Sequence, residues 1–167
     1  MSNKIAIHQI LHMDDPHGVF KQPNLDDLLR YREGQHFDRK RKHAPKDLAP
    51  FLVGFANANP NGGLLLIGVN DDGSIMGLRE AYGENYRNEI SRCREYISHV
   101  TPECKFLAVT NNKDASDEIA LIFVPYSGQQ LASTSGDEVY LRIGDKTLKQ
   151  TVEDIMRLGR ERGQDIP

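Results

Sequence analysis

Residues 62–73 read GGLLLIGVNDDG, in which a four-residue apolar run stands between two turn signals. A continuous apolar run of this length predicts a strand that is buried on both faces of a sheet. The NDDG sequence at 70–73 predicts a tight turn, and residues 74–77 are expected to return as a hairpin partner. We therefore expect the chain to fold around a buried strand near its middle.

An amphipathic helix is predicted immediately upstream of this strand. Pro45 suits the first helical turn, where the N–H that proline lacks would have no helical partner. The apolar positions then recur at helical spacing, at Leu48, Phe51, Leu52 and Phe55. The loop composition of residues 57–63 ends this helix before the buried strand begins.

A further helix is expected to lead the chain to Glu33. Asn24 suits its N-cap, and Asp26 and Asp27 are favourable in its first turn because the N-terminal end of a helix carries positive partial charge. Gly34 is expected to end this helix.

Residues 35–41 fit a short strand. Successive side chains of a strand point to opposite faces, so Asp38 and Lys40 are expected on one face, with Phe37 and Arg39 on the other.

The downstream sequence supplies the remaining elements. Apolar spacing and turn signals predict a helix over 86–97, strands at 105–110, 118–124 and 138–143, and a closing helix around 152–158. The strand at 118–124 is almost entirely apolar, which favours a central place in the sheet. Together these patterns predict an α+β fold with one mixed β-sheet and about four helices packed on it.

The chain divides into one domain with two short flanking segments. We expect an N-terminal arm over 1–24, the domain over 25–162 and a tail over 163–167. The arm is polar and rich in turn residues, apart from a short apolar stretch. Its imidazoles and carboxylates match no metal-binding spacing, so a solvated arm is expected. The imidazoles and carboxylates of the arm belong to His8, His12, Asp14, Asp15 and His17.

Charge and composition exclude several classes of protein. The formal net charge of −3 does not fit a protein that coats duplex DNA by bulk electrostatics, so any nucleic-acid site must be local. The densest basic run is RKRK at residues 39–42. No apolar run approaches the roughly 20 residues of a membrane span. We expect a cytoplasmic protein that does not bind membranes, with Cys93 and Cys104 as reduced thiols.

Four ordered segments together resemble one known family. They are EGQHFDRK at 33–40, FAN at 55–57 leading to the glycine pair at 62–63, IGVNDDG at 67–73 and YLRIG at 140–144. This set resembles the Schlafen-type AlbA-like domain, a family described as DNA-binding and often labelled ATP-binding. The resemblance covers about residues 25–160. A P-loop is absent, because the sequence at 144–147 lacks the required glycine and Gly-Lys adjacency, and we expect no ATP.

The resemblance implies a candidate catalytic site. Some family members are ribonucleases that cleave structured RNA such as tRNA with three acids and a divalent metal. By position, the acids are Glu33, Asp38 and Asp71, which would hold Mg²⁺ or Mn²⁺ beside Lys40. Asp72 is an alternative third ligand. A metal held in this way activates water and neutralises phosphate, and lysine adds positive charge. Whether the chain is an enzyme stays open at this point.

Two positions depart from the family pattern. Asp38 stands where glutamate is usual, and Arg39 stands where an apolar residue is usual. A carboxylate on a shorter side chain moves by about 1 Å, and catalysis is sensitive to such a displacement. Nucleic-acid binding tolerates these changes better than catalysis does.

Three other interpretations stand beside the nuclease. A non-catalytic binder would hold the phosphates of RNA or DNA with five basic residues, namely Arg39, Lys40, Arg41, Lys42 and Arg142. A protein-interaction module would instead dock through the apolar stretch at residues 5–11. Each motif also has a structural explanation: the acids at 71–72 suit a turn, the glycines at 62–63 suit positive φ, and the basic run suits a solvated strand edge.

The resemblance also implies an oligomeric state. Two such domains pair into a cleft in the larger Schlafen proteins, so a homodimer is expected here by analogy.

Overall fold

The computed structural model describes residues 10–58 and 60–163. Most of the apolar stretch at residues 5–11 and most of the predicted tail therefore lie outside the described residues. Among the described residues there are six α-helices and eight strands. They form the single α+β domain with a mixed sheet that the sequence predicts.

The main sheet has four strands: β1 (Phe37–Lys40), β2 (Gly63–Ile67), β4 (Glu103–Thr110) and β5 (Ser116–Val124). Their order is β1-β2-β5-β4. Strand β2 pairs with β1 in parallel and with β5 antiparallel, and β5 pairs with β4 antiparallel. The prediction that β5 is central is confirmed.

Both faces of the sheet are covered, as the continuous apolar run of β2 predicts. Leu65 and Ile67 pack in a core cluster with helix α3 (Pro45–Ala56), while Leu64 and Leu66 pack in a second cluster on the opposite face. Every residue of β2 is buried. Burial on both faces gives β2 a larger share of the hydrophobic stabilisation than a strand with one wet face has.

The second face is covered by two short N-terminal helices, α1 (Pro16–Lys21) and α2 (Leu25–Leu28). The side chain of Asp15 caps α1, and Phe20 packs in the second core cluster. The Lys105 ammonium donates to the Phe20 carbonyl at 2.6 Å. The expectation of a solvated arm is therefore wrong for residues 16–21, because one buried aromatic residue fixes this polar segment to the sheet.

The N-cap prediction for α2 is confirmed, but the helix is shorter than expected. The Asn24 side chain accepts the backbone N–H of Asp27 at 3.0 Å. The helix ends at Leu28, and an isolated parallel bridge between Leu11 and Tyr31 follows before the chain reaches Glu33.

The region predicted as one helix over 86–97 contains three elements. These are α5 (Tyr86–Ser91), a 3₁₀ helix (Arg92–Tyr96) and β3 (Ile97–Ser98). Ile97 takes an extended conformation because it pairs with Thr134 of β6 (Ser133–Thr134). A further helix, α4 (Leu78–Tyr82), follows the 70–77 turn region and was not predicted.

The predicted strand at 138–143 belongs to a separate hairpin. Strand β7 (Tyr140–Ile143) pairs antiparallel with β8 (Lys146–Lys149) through a turn in which Gly144 has φ +59°. This hairpin packs against α3. The closing helix α6 (Val152–Glu161) is confirmed, and Thr151 and Asp154 form its capping box. Among the described residues there is no helix with the length and apolar composition of a membrane span.

Candidate nucleic-acid interface

The candidate site lies where the parallel strands β1 and β2 end. Lys40 is the last residue of β1. After β2, Val69 forms an isolated bridge with Ile75, and Asp71 lies in the turn that this bridge closes. A pocket of about 400 Å³ opens at this edge. Its lining residues are Arg39, Lys40, Arg41, Lys42, His43, Asn70 and Asp71. The carboxyl end of parallel strands is a common place for ligand sites.

Asp38 is buried on the α3 side of β1, where it accepts two hydrogen bonds and forms an ion pair with Lys40. The Arg142 Nη1 donates to its Oδ2 at 2.8 Å, and the Arg39 backbone N–H donates to its Oδ1 at 2.7 Å. The Lys40 ammonium lies 3.6 Å from the same Oδ1. The predicted placement of Asp38 and Lys40 on one face of the strand is therefore confirmed, and both oxygens of the Asp38 carboxylate are engaged inside the protein.

Arg142 is an internal residue with only 2% of its surface exposed. Besides Asp38, its guanidinium donates to the Gly34 and Gly144 carbonyls at 2.8 and 3.1 Å, and to the Phe37 carbonyl at 3.1 Å. Its Cζ lies 4.9 Å from the Phe55 ring centroid. In this arrangement the side chain fixes the β7–β8 hairpin to β1, and the predicted contact of Arg142 with phosphate stays a prediction.

Glu33 and Asp38 form a pair of neighbouring carboxyl groups. Burial, followed by a hydrogen bond with Asp38 and repulsion from its charge, raises the pKa of Glu33 to about 7. The Arg39 backbone N–H, which donates to Glu33 Oε2 at 3.3 Å, and the charge of Lys40 act in the opposite direction. Glu33 therefore keeps its proton to a higher pH than an ordinary glutamate does.

Arg39 points to the opposite face of β1 and is only 1% exposed. Its Nη2 donates to the carbonyl oxygens of Tyr31 and Leu28, and its Cζ lies 5.2 Å from the Phe37 ring centroid. Burial lowers the pKa of the guanidinium, and the charges of Glu33, Asp38 and Asp71 counteract that shift. The predicted sharing of a face with Phe37 is confirmed. The predicted contact of Arg39 with phosphate stays a prediction.

The three predicted metal ligands do not come together as a metal centre. Asp71 lies on an exposed turn, whereas Asp38 is buried and already engaged by cations. In the described part of the chain no group of three or more histidine, cysteine, aspartate or glutamate side chains could hold a metal ion. Asp72, the alternative ligand, accepts from the backbone N–H and hydroxyl of Ser74 at 2.9 and 2.6 Å. This arrangement does not fit Mg²⁺ or Mn²⁺.

The exposed positive charge of the site comes from the end of the basic run. Arg41 and Lys42 are exposed, and Lys40 is partly exposed with its ammonium 4.4 Å from the Phe51 ring centroid. Lys42 lies 5.8 Å from the Tyr82 ring centroid. We call residues 40–42 the basic segment. All three of its residues line the pocket.

The family model of Schlafen, AlbA_2 matches residues 33–151. The chain belongs to this family. The match includes both ends of the site, from Glu33 to the hairpin that carries Arg142, and family membership indicates nucleic-acid binding.

The chain also resembles a solved structure, that of the DIP2311 protein from Corynebacterium diphtheriae. The two are 20% identical, with a TM-score of 0.48, over 78% of this chain and 24% of that one. The chain thus spans about a quarter of the length of that relative. No curated protein matches the sequence.

Two motifs of this Schlafen AlbA_2 domain have structural roles. Gly62 has φ +67° and a Cβ there would lie 2.0 Å from the Val124 carbonyl oxygen, so the position requires glycine. The Asn57 side chain, at the end of α3, donates to the carbonyls of Ala132 and Tyr140 at 3.0 and 2.9 Å, and accepts from the Ala132 N–H at 2.8 Å. These contacts hold distant segments against the end of α3.

Sequence reasoning missed His43 and Tyr82 at this site. The Tyr82 hydroxyl accepts the His43 backbone N–H and donates to the His43 carbonyl, both at 2.7 Å. The position of His43 directly after the basic run could have indicated that it belongs to the site. The partner was not visible, because it lies in a helix that the sequence pattern did not predict.

Proposed function

We propose that the basic segment binds the sugar-phosphate backbone of RNA or DNA. One observation supports this most directly: three consecutive cationic side chains border a pocket at the carboxyl end of β1. The protein's net charge is −3, so attraction for phosphate must be concentrated in such a local patch. Binding of this kind depends on charge and weakens with salt.

Fluorescence anisotropy with labelled single-stranded RNA, single-stranded DNA and duplex DNA at low salt tests the proposal. We expect Arg41→Gln/Lys42→Gln to bind at least about tenfold more weakly, given that about 1.4 kcal/mol corresponds to tenfold. Arg92→Gln removes an exposed charge outside the site, where Arg92 pairs with Glu95, and should leave binding unchanged. Absence of affinity for all three nucleic acids would refute the proposal.

RNA cleavage is the second candidate function, with Glu33, Asp38, Lys40 and Asp71 as the catalytic residues. The observation that favours it is the carboxyl pair, since a group with a pKa of about 7 beside a carboxylate engaged by cations can exchange protons near neutral pH. Lys40 would supply positive charge next to the pair. The acids do not fit a divalent ion in this arrangement, so no metal-dependent step is derived.

The cleavage test is incubation with a tRNA pool in Mg²⁺, in Mn²⁺ and in EDTA. Glu33→Gln is the critical variant, because it keeps the size of the side chain but cannot exchange a proton. If the wild type cleaves tRNA and this variant does not, the protein is an enzyme. The three conditions then show whether cleavage requires a metal. Equal, background-level cutting by both proteins would eliminate the nuclease.

We also propose that the protein forms a homodimer, which rests on the paired arrangement in larger Schlafen proteins. Two copies related by a two-fold axis would double the basic segment. Light scattering coupled to size-exclusion chromatography tests this directly, and a monomer at every concentration would contradict it.

A cytoplasmic location completes the proposal. Support comes from the two free thiols, Cys93 and Cys104, which burial keeps in the protonated form by raising their pKa values to about 11 and about 12. Reduced thiols are usual in the cytosol. Cell fractionation of a tagged protein is the test.

A further inference from the structure

The basic segment continues into a stretch of chain that has no regular secondary structure. Residues 41–44 lie between the end of β1 at Lys40 and the start of α3 at Pro45, and they belong to neither element. A stretch of this kind can take many conformations unless other contacts restrict it. Because Arg41 and Lys42 carry the exposed charge of the site, the contacts that fix their backbone also decide where that charge is placed.

One side chain from another element holds the end of this stretch. The Tyr82 hydroxyl accepts the backbone N–H of His43 at 2.7 Å and donates to the carbonyl oxygen of the same residue, also at 2.7 Å. A hydroxyl can do both because it has one donor and two acceptor lone pairs. The Lys42 ammonium lies 5.8 Å from the centroid of the Tyr82 ring. Tyr82 therefore contacts both residues that follow Arg41.

Tyr82 is the last residue of α4, and strand β5 fixes the first turn of this helix. The buried Asp117 of β5 accepts the backbone N–H groups of Arg79 and Glu80 at 2.7 and 3.2 Å. Gly77, directly before the helix, approaches the same carboxylate so closely that a Cβ there would lie 2.2 Å from Asp117 Oδ2. The position of Tyr82 is therefore set from the central strand β5, and not by the chain around the basic segment.

We propose that Tyr82 is a positioning residue for nucleic-acid binding, whose hydroxyl orders the basic segment before phosphate arrives. The inference rests on the proposed nucleic-acid function. Tyr82 is not among the residues that line the pocket, so it acts through His43 and not by touching the ligand. Fixing the backbone of one residue changes an equilibrium constant by about five- to thirtyfold. A segment that is ordered in advance avoids this loss of affinity.

The alternative is that the two hydrogen bonds of Tyr82 only stabilise the fold. Tyr86 provides the comparison, because its hydroxyl donates to Glu118 Oε1 at 2.6 Å and both residues line a different pocket. Tyr86→Phe and Tyr82→Phe each remove one tyrosine hydroxyl and its short hydrogen bonds. If the hydroxyl of Tyr82 served stability alone, the two variants would affect nucleic-acid binding equally.

The test is fluorescence anisotropy over a range of salt, with the full chain and whichever of the three nucleic acids named above the wild type binds most tightly. We expect Tyr82→Phe, which keeps the ring beside Lys42, to bind at least about fivefold more weakly. The slope of log K against log salt should stay within about 0.2 of the wild-type slope, because the same phosphates are contacted once the segment is ordered. Tyr86→Phe should bind within about twofold of the wild type.

Amide hydrogen exchange of His43, followed by NMR, separates local ordering from overall stability. In the wild type this amide should exchange slowly, and nucleic acid should slow it little further, because the Tyr82 hydroxyl already accepts its hydrogen bond. In Tyr82→Phe the amide should exchange faster, and bound nucleic acid should slow it again. A general loss of stability would instead speed exchange throughout the domain. Should Tyr82→Phe fail to fold, the wild type still decides, since strong slowing of the His43 amide by nucleic acid would overturn the proposal.

Three results with the variants would also overturn the positioning role. Tyr82→Phe could bind as tightly as the wild type, Tyr86→Phe could weaken binding as much as Tyr82→Phe does, or the salt slope of Tyr82→Phe could fall by the roughly 0.7 of a lost phosphate contact. Each of these leaves the nucleic-acid function standing, because the wild type still binds. A wild type without affinity for any of the three nucleic acids overturns the nucleic-acid function itself, and the positioning role with it.

Discussion

The Arg142 Nη1 lies 2.8 Å from the Asp38 Oδ2, and both side chains are buried. The two residues are 104 positions apart in the chain. Their contact joins the β7–β8 hairpin to edge strand β1, two residues before the basic segment begins. A buried ion pair of this kind fixes position more than it adds stability, but losing one partner leaves a charge stranded in the interior.

Arg142→Leu should lower the free energy of unfolding by about 3–5 kcal/mol, because the Asp38 carboxylate would remain buried without its main partner. The measurement is urea unfolding followed by circular dichroism. Asp38→Leu/Arg142→Leu should recover part of the loss, since no unpaired buried carboxylate remains.

The control for this prediction is an exposed ion pair. Lys149→Ala breaks the 2.9 Å contact with Glu138, where both side chains are well exposed, and should cost no more than about 1 kcal/mol. If Arg142→Leu were as stable as Lys149→Ala, the buried pair would have no special role.

Glu33 should make stability fall as the pH rises from about 4.5 to about 7. Its pKa is raised from 4.5 in the unfolded chain to about 7 in the folded protein, so the folded state binds the extra proton within this window. The contribution is complete below pH 4.5 and is lost as pH passes through 7. Glu33→Gln lacks the titrating proton and should not show this loss.

Urea unfolding of both proteins between pH 4 and pH 8 measures the effect. Because Glu33 is only partly buried, we expect the stability of Glu33→Gln relative to wild type to rise by on the order of 1 kcal/mol across the window. Parallel stability curves would show that Glu33 titrates normally.

Gly63→Ala should destabilise the protein by about 1–3 kcal/mol through overpacking. A Cβ at this position would lie 2.2 Å from two atoms of the Phe55 ring, which is fully buried and has no room to shift. Gly34→Ala is the control, since nothing lies within 4 Å of its added Cβ, and it should stay within about 0.5 kcal/mol of wild type. Thermal unfolding distinguishes the two.

The salt dependence of RNA binding should reveal how many phosphates the basic segment contacts. Each phosphate contact contributes about 0.7 to the slope of log K against log salt for single strands, so Arg41→Gln/Lys42→Gln should reduce that slope by about 1.4. Anisotropy titrations from low to moderate salt supply the slope. A weaker affinity with an unchanged slope would mean that these side chains do not meet phosphate.

The sequence pattern predicted the centre of this fold well. The apolar run of β2 required burial on both faces, and alternation along β1 correctly separated Asp38 and Lys40 from Phe37 and Arg39. These features follow from strand geometry over a few residues, and for that reason local sequence was sufficient to predict them.

The roles of the arginines could not be predicted in the same way. Charged side chains are almost always on the surface unless paired, and the partners of Arg142 lie in β1, about a hundred residues upstream. Nothing in the YLRIG pattern identifies them. Arg39 was likewise assigned to an exposed basic run, because its burial depends on how Leu28 and Tyr31 close over β1.

The sheet order also affects how quickly the chain can fold. Strands β4 and β5 join through a short turn between Thr110 and Ser116, whereas Gly63 of β2 must find Val124 across 61 residues. Distant pairings of this kind slow folding, because loop entropy is lost before the contact forms. We expect the β4–β5 hairpin to protect its amides from hydrogen exchange first during refolding. Strand β1 pairs with β2 across only 27 residues, from Phe37 to Leu64, so the β2–β5 pairing should be the last part of the sheet to form.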